Sequence, residues 1–115
     1  MLDSFSGCGG NLIQFGIYNQ QAYGCEIDKQ KVDYARHNCS VYQVNNTKVI
    51  NKDYLTIKPS DVDHTPLTQV FMSPPWGGVG YMKVDSYKLD YIYPHFDDIM
   101  DVTLPLTPNI ILYLP

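Results

Sequence analysis

The sequence predicts an α/β fold, a central and mostly parallel sheet with flanking helices, and three observations carry that expectation. Short apolar runs alternate with amphipathic stretches along the chain, the pattern of helices packed on a parallel sheet. Glycine, proline and acidic residues gather where those runs end, which is where open α/β sheets bind ligands. The length of 115 residues suits one hydrophobic core, so residues 1–115 read as a single domain.

The first strand is almost absent, with Met1 and Leu2 before the turn Asp3-Ser4-Phe5-Ser6-Gly7-Cys8-Gly9-Gly10-Asn11. A helix burying Leu12, Ile13 and Phe15 is expected next. Residues 22–26 read as the second strand. Asp28 then stands as the N-cap of a helix with Val32, Ala35, Cys39 and Tyr42 on one face. Residues 48–51 form a short third strand and 69–72 a fourth. Ser73-Pro74-Pro75 ends the fourth sharply, since proline has no amide for a sheet ladder. Residues 79–94 form a Tyr-rich loop, long enough to suggest function or mobility. A short helix around Phe96, Ile99 and Met100 and a fifth strand over 109–114 complete the series.

Composition excludes several classes. With 44% hydrophobic and 17% charged residues, this is no disordered chain. A net charge of −4 argues against a broad basic surface for wrapping duplex nucleic acid, so any nucleic-acid contact is local. Cys8, Cys25 and Cys39 make an odd count with no CxxC pair, which suggests neither a disulfide framework nor a zinc site. His37, His64 and His95 lack metal-ligand spacing, and no metal is assigned. No apolar run approaches the roughly 18 residues of a membrane span, and no membrane partner is expected.

The glycine-rich turn lets the backbone approach a ligand closely, and the helix after it offers free amides to an anion. A phosphate-binding P-loop would need Gly-Lys-Ser/Thr, and a dinucleotide fingerprint a third glycine where Leu12 stands. Both are missing. An ordinary tight turn is the bland alternative. Glu26 lies 19 positions after Gly7, near the spacing of about 20 at which an acidic strand end meets ribose hydroxyls. Asp28 competes for that role, although helix capping explains it more simply. Asp53 follows the third strand, where it could accept from an adenine amino group or serve as a solvated loop residue.

The most specific element is Ser73-Pro74-Pro75-Trp76. It fixes a rigid carbonyl, supplies a hydroxyl and projects an aromatic ring. An amine conjugated to a purine or cytosine ring is a weak nucleophile that must be held in line by acceptors and a stacking surface. The Pro74 carbonyl and Ser73 hydroxyl are suitable acceptors. Together with the spaced pattern Asp3-x-Phe-x-Gly-x-Gly, the tetrad resembles motifs IV and I of S-adenosylmethionine-dependent methyltransferases acting on exocyclic amines.

Over nearly the whole chain, the residues Asp3 to Asn11, Ala35-Arg36-His37-Asn38, Val41-Tyr42, Ser73 to Gly78 and Asn109 to Pro115 resemble the trimethylguanosine synthases. That resemblance implies a Rossmann-like class I methyltransferase core, here truncated at both ends relative to the family. It implies transfer of methyl groups from S-adenosyl-L-methionine to the N2 amine of 7-methylguanosine RNA caps, giving 2,2,7-trimethylguanosine caps on small nuclear and nucleolar RNAs. It further implies a monomer in the nucleus, in nucleolus or Cajal-body-like compartments, and also in cytoplasm. Asp3, Gly7, Gly9, Glu26 and Asp53 correspond to cofactor-binding positions. Trp76, Asn38 and Ser73 match positions that bind the guanine, and Ser73, Pro74 and Trp76 the positions where the chemistry occurs. The family usually has aspartate where Glu26 stands. It also carries an upstream extension contacting cap phosphates, and strands beyond Pro115, so this chain is either a reduced homologue or a fragment. Two other readings stay open. One is a DNA amino-methyltransferase acting on cytosine N4 or adenine N6, which would need base flipping and a target-recognition region. The other is an inactive cap-binding remnant.

Overall fold

A computed structural model describes residues 1–63, 66–83 and 85–115, with the side chains of Val79 and Tyr81 also outside the description. His64 and the ring of Tyr81 therefore lie outside the described residues. Five parallel strands form one sheet in the order β3-β2-β1-β4-β5. They are β1 (Leu2–Asp3), β2 (Ala22–Glu26), β3 (Thr47–Asn51), β4 (Val70–Met72) and β5 (Ile110–Leu112). The order reverses between β1 and β4, which is the switch point of a doubly wound Rossmann-like sheet. The two-residue β1 is as short as its sequence predicts, yet it occupies the centre. Leu2 pairs with Tyr23 on one side and Val70 on the other.

Two helices cover one face. Helix α1 (Gly10–Tyr18) buries Leu12, Ile13 and Gly16, and α2 (Lys29–Val41) buries Val32, Ala35 and Cys39. Their apolar faces meet Ala22 and Val49 of the sheet. Asp28 caps α2 as expected, its carboxylate accepting from the amides of Gln30 and Lys31. The opposite face packs Leu2, Tyr23, Cys25, Val70 and Met72 against Ile99 of α3 (Phe96–Thr103) and against Tyr54, Ile57 and Val62. Tyr54 opens the 3-10 turn Tyr54–Thr56, which Ile57 follows, and Val62 follows a second 3-10 turn, Pro59–Asp61.

Two expected core positions are corrected. Tyr42 is exposed, because α2 ends at Val41 and the chain reverses at Gln43, which has a positive φ of 57°. Val44 is the residue that returns to the core. Phe15 is half-buried instead of buried, and it packs edge-on against Phe71 with ring centroids 5.5 Å apart. Among its described residues, the Tyr-rich segment carries 3-10 turns at Gly78–Lys83 and Leu89–Tyr91.

Candidate active site

The C-terminal ends of β1, β2, β3 and β4 open onto a cleft of about 560 Å³, a volume within the usual range of small-molecule sites. Gly7, Glu26, Asp53 and Ser73, four of the residues singled out in the sequence, line it. They stand at the ends of four separate strands or just beyond them, and only the parallel register of the sheet brings them together.

The turn after β1 is held from three directions. The Ser4 hydroxyl donates to the Phe71 carbonyl of β4, and the Ser6 hydroxyl to the Cys25 carbonyl of β2. The Asn38 side-chain amide donates to the Cys8 carbonyl at 2.9 Å. Gly9 has φ +88°, and a Cβ there would stand 3.1 Å from that of Ala35. Both the backbone shape and the approach of α2 require glycine at this position.

Glu26 closes the turn from the side. One carboxylate oxygen accepts from the Gly7 amide at 3.0 Å and the other from the Asp28 amide at 2.9 Å. A carboxylate has about four lone-pair sites, so acceptor capacity remains for a ligand hydroxyl. Asp53 is exposed and caps the 3-10 turn that follows it, one oxygen accepting from the Leu55 amide at 3.0 Å.

Asp3 lies beneath the turn and is 1% exposed. Its Oδ1 accepts a long bond from the Phe5 amide at 3.4 Å, while Oδ2 is buried without a hydrogen-bond partner. Burial pushes its pKa up to about 7, against the opposing Phe5 bond and helped by the charge of Glu26. An unmatched buried carboxylate is costly unless something compensates it, and a cationic ligand group is one such partner.

The rest of the wall was not anticipated as cleft. Phe5, Lys31, Lys52, Tyr93 and His95 also line it. Tyr54 forms part of the lining, its hydroxyl donating to Thr103 of α3 at 2.8 Å, and burial pushes its pKa to about 12. Cys25 is likewise driven up to about 12, chiefly by burial, so its thiol stays protonated near neutrality. Among the described residues no group of His, Cys, Asp and Glu has the arrangement of a metal site. His95 stands at the start of α3, which its position after a proline in the chain gave no cause to place in a cleft.

Five of the sequence candidates lie outside the lining. Asp3 and Gly9 belong to the turn just described. Pro74 is buried. Asn38 is engaged with the Cys8 carbonyl. Trp76 projects beyond Ser73 and Pro75, half-buried, with its indole N–H donating to the Tyr113 carbonyl at 3.3 Å. The geometry therefore offers two adjoining places, an acid-lined cleft and an aromatic shelf, joined by the proline pair.

The sequence matches the RNA cap guanine-N2 methyltransferase profile over residues 1–115. It is 37% identical over 119 residues to a trimethylguanosine synthase of Schizosaccharomyces pombe, covering 100% of this chain and 49% of that one. To the trimethylguanosine synthase of Saccharomyces cerevisiae it is 31% identical over 126 residues, covering 100% and 38%. The chain thus spans half or less of the length of these curated relatives. Among solved structures, an rRNA methylase from Streptococcus thermophilus aligns with 97% of this chain and 59% of its own, at TM-score 0.65 and 14% identity. A methyltransferase fold from Streptococcus mutans, solved in complex with SAH, aligns with 88% and 55%, at TM-score 0.60 and 12% identity. Likeness at that identity speaks for the fold alone.

Proposed function

Because the chain belongs to the RNA cap guanine-N2 methyltransferase family, we propose that it moves methyl groups from S-adenosyl-L-methionine to the N2 amine of 7-methylguanosine caps. The observation that carries this reading is the Ser73-Pro74-Pro75-Trp76 tetrad, which leaves β4 with Ser73 and Pro75 in a cleft shared with Glu26 and Asp53. The capped RNAs would be small nuclear and nucleolar species, with the nucleus as the working compartment.

The residues present fit the cofactor on chemical grounds. Glu26 offers spare acceptor sites to ribose hydroxyls, and Asp53 offers a carboxylate to an adenine amino group. The orphaned Oδ2 of Asp3 suits a cationic amino-acid end, and the turn through Gly7 and Gly9 brings backbone close to it. The cofactor supplies an electrophilic methyl on a sulfonium. All else falls to the chain. Ser73 and the Pro74 carbonyl accept hydrogen bonds from the guanine amine, aiming its lone pair at the methyl. Methylation makes that nitrogen acidic, so its proton leaves to water or to the Ser73 oxygen without a strong base. Trp76 stacks on the base. N7 methylation makes guanine cationic, which adds a cation-π contribution of about 0.5–2 kcal/mol to that stacking.

The experiment is transfer of labelled methyl from S-adenosyl-L-methionine to 7-methylguanosine diphosphate, with guanosine diphosphate as the comparison. Transfer to the first and little to the second is the expected result. Calorimetric binding of S-adenosylhomocysteine without transfer to any cap analogue would overturn the substrate assignment and favour another amine.

A further inference from the structure

Four aromatic rings form a continuous row from helix α1 to the shelf beside the cleft. Phe15 meets Phe71 of β4 edge-on at 5.5 Å, and Phe71 stacks on Tyr113 at 6.4 Å. Tyr113 in turn lies against Trp76, with centroids 5.5 Å apart and planes tilted by 39°. The backbone of Tyr113 is tied in at both ends of its peptide unit. Its amide donates to the Met72 carbonyl at 2.8 Å, immediately before Ser73, and its carbonyl accepts from the Trp76 indole at 3.3 Å.

From this arrangement we infer that Tyr113 is a positioning residue for Trp76: its carbonyl orients the indole N–H and its ring backs the indole, so the stacking plane is set before a base arrives. The inference rests on the cap reading above and goes beyond it by assigning a role to the end of β5. A centroid separation of 5.5 Å is that of a directly contacting aromatic pair, so a guanine does not fit between the two rings. Tyr113 therefore supports the shelf and does not itself sandwich the base. An indole already held in place loses less freedom when a ligand stacks on it, which is how preorganisation raises affinity. The row through Phe71 and Phe15 anchors that support in the folded body of the protein.

Trp76 is the chain's one tryptophan, so its emission reports this position alone. Tyr113→Ala removes the ring and Tyr113→Phe keeps it, while both retain the backbone carbonyl. Tyr113 is 56% exposed, so neither change opens the core, and circular dichroism checks that each variant is folded. In the unliganded protein, Tyr113→Ala should make Trp76 more accessible to acrylamide and lower its anisotropy, with Tyr113→Phe behaving as the parent. Affinity for 7-methylguanosine diphosphate, read by Trp76 quenching, should fall about two- to tenfold in the alanine variant, the worth of one aromatic pair. S-adenosylhomocysteine affinity, read by calorimetry, should stay unchanged in both. Unaltered indole access in Tyr113→Ala, an equal loss in Tyr113→Phe, or a parallel loss of S-adenosylhomocysteine affinity would each overturn the inference. If the parent chain itself does not bind 7-methylguanosine diphosphate, the cap reading fails, and indole access in the unliganded variants still decides whether Tyr113 holds Trp76.

Discussion

Glu26 reaches across the end of β1 to the Gly7 amide, 3.0 Å away, and so fastens the tip of β2 to the glycine turn. Its second oxygen accepts from Asp28, the residue that caps α2. One carboxylate thus sets the spacing of a strand end, a turn and a helix start around the cleft. Glu26→Gln replaces one acceptor by a donor facing an amide. Hydrogen bonds to a charged group are worth about 1.5–3 kcal/mol, so S-adenosylhomocysteine binding should weaken about ten- to a hundredfold. Calorimetry measures this, and unchanged affinity would remove Glu26 from the cofactor site.

Asp3 gives the protein a pH dependence with a definite sign. Its carboxyl titrates near 7 when folded, against 3.8 as the ordinary value. Between those pH values the folded state keeps a proton that the unfolded state has lost, so stability from this group declines as pH rises from about 4 to 7 and levels off above. Asp3→Asn should abolish that decline. The variant should gain on the parent by a few kcal/mol in urea melts at pH 8 and show little advantage at pH 4, since one pKa unit is about 1.4 kcal/mol. Cofactor affinity should move the opposite way, because the charge that destabilises the empty protein is the one a cationic ligand uses.

Trp76→Ala should separate the two halves of the site. Trp76 is outside the acid-lined cleft, so S-adenosylhomocysteine binding should be close to that of the parent, while transfer to 7-methylguanosine diphosphate should be abolished. Equal impairment of both would show that the shelf and the cleft are one unit.

Gly24→Ala tests the packing beneath the turn. A Cβ at this position of β2 would meet the side chains of Ser6 and Leu12 at 2.9 Å. Overpacking of this kind costs about 1–3 kcal/mol. Because Ser6 also holds the Cys25 carbonyl, the denaturation midpoint and the cofactor affinity should fall together.

Much of this was legible because local chemistry and fold agree. Residues 22–26 are apolar and end on an acid, and they form β2 without a shift of boundary. Asp28 caps, and the Ser73-Pro-Pro run follows directly on β4 at Met72. The errors fall where a local pattern meets a tertiary constraint. Tyr42 continues the helical period on paper, yet α2 stops at Val41 so that Val44 can turn inward. Other features were simply unread: the bond from Asn38 to Cys8, 30 positions earlier, has no local signal. The presence of His95 and Tyr93 at the cleft depends on how the segment after β4 folds back, which no periodicity encodes.

The central place of β1 also orders events during synthesis. Leu2 and Asp3 are made before their partners, but one flank of that strand stays open until residues as distant as Phe71, whose carbonyl receives the Ser4 hydroxyl 67 positions later, have been made. The unit of β2, α2 and β3 has its pairing partners within a short stretch of chain and closes early. Contacts between distant segments are slow to form, and unpaired strand edges invite misassembly in the meantime. The glycine turn, fastened to both β2 and β4, is therefore completed late in folding, and a nascent chain halted before Val70 carries the turn without the wall that makes it a site.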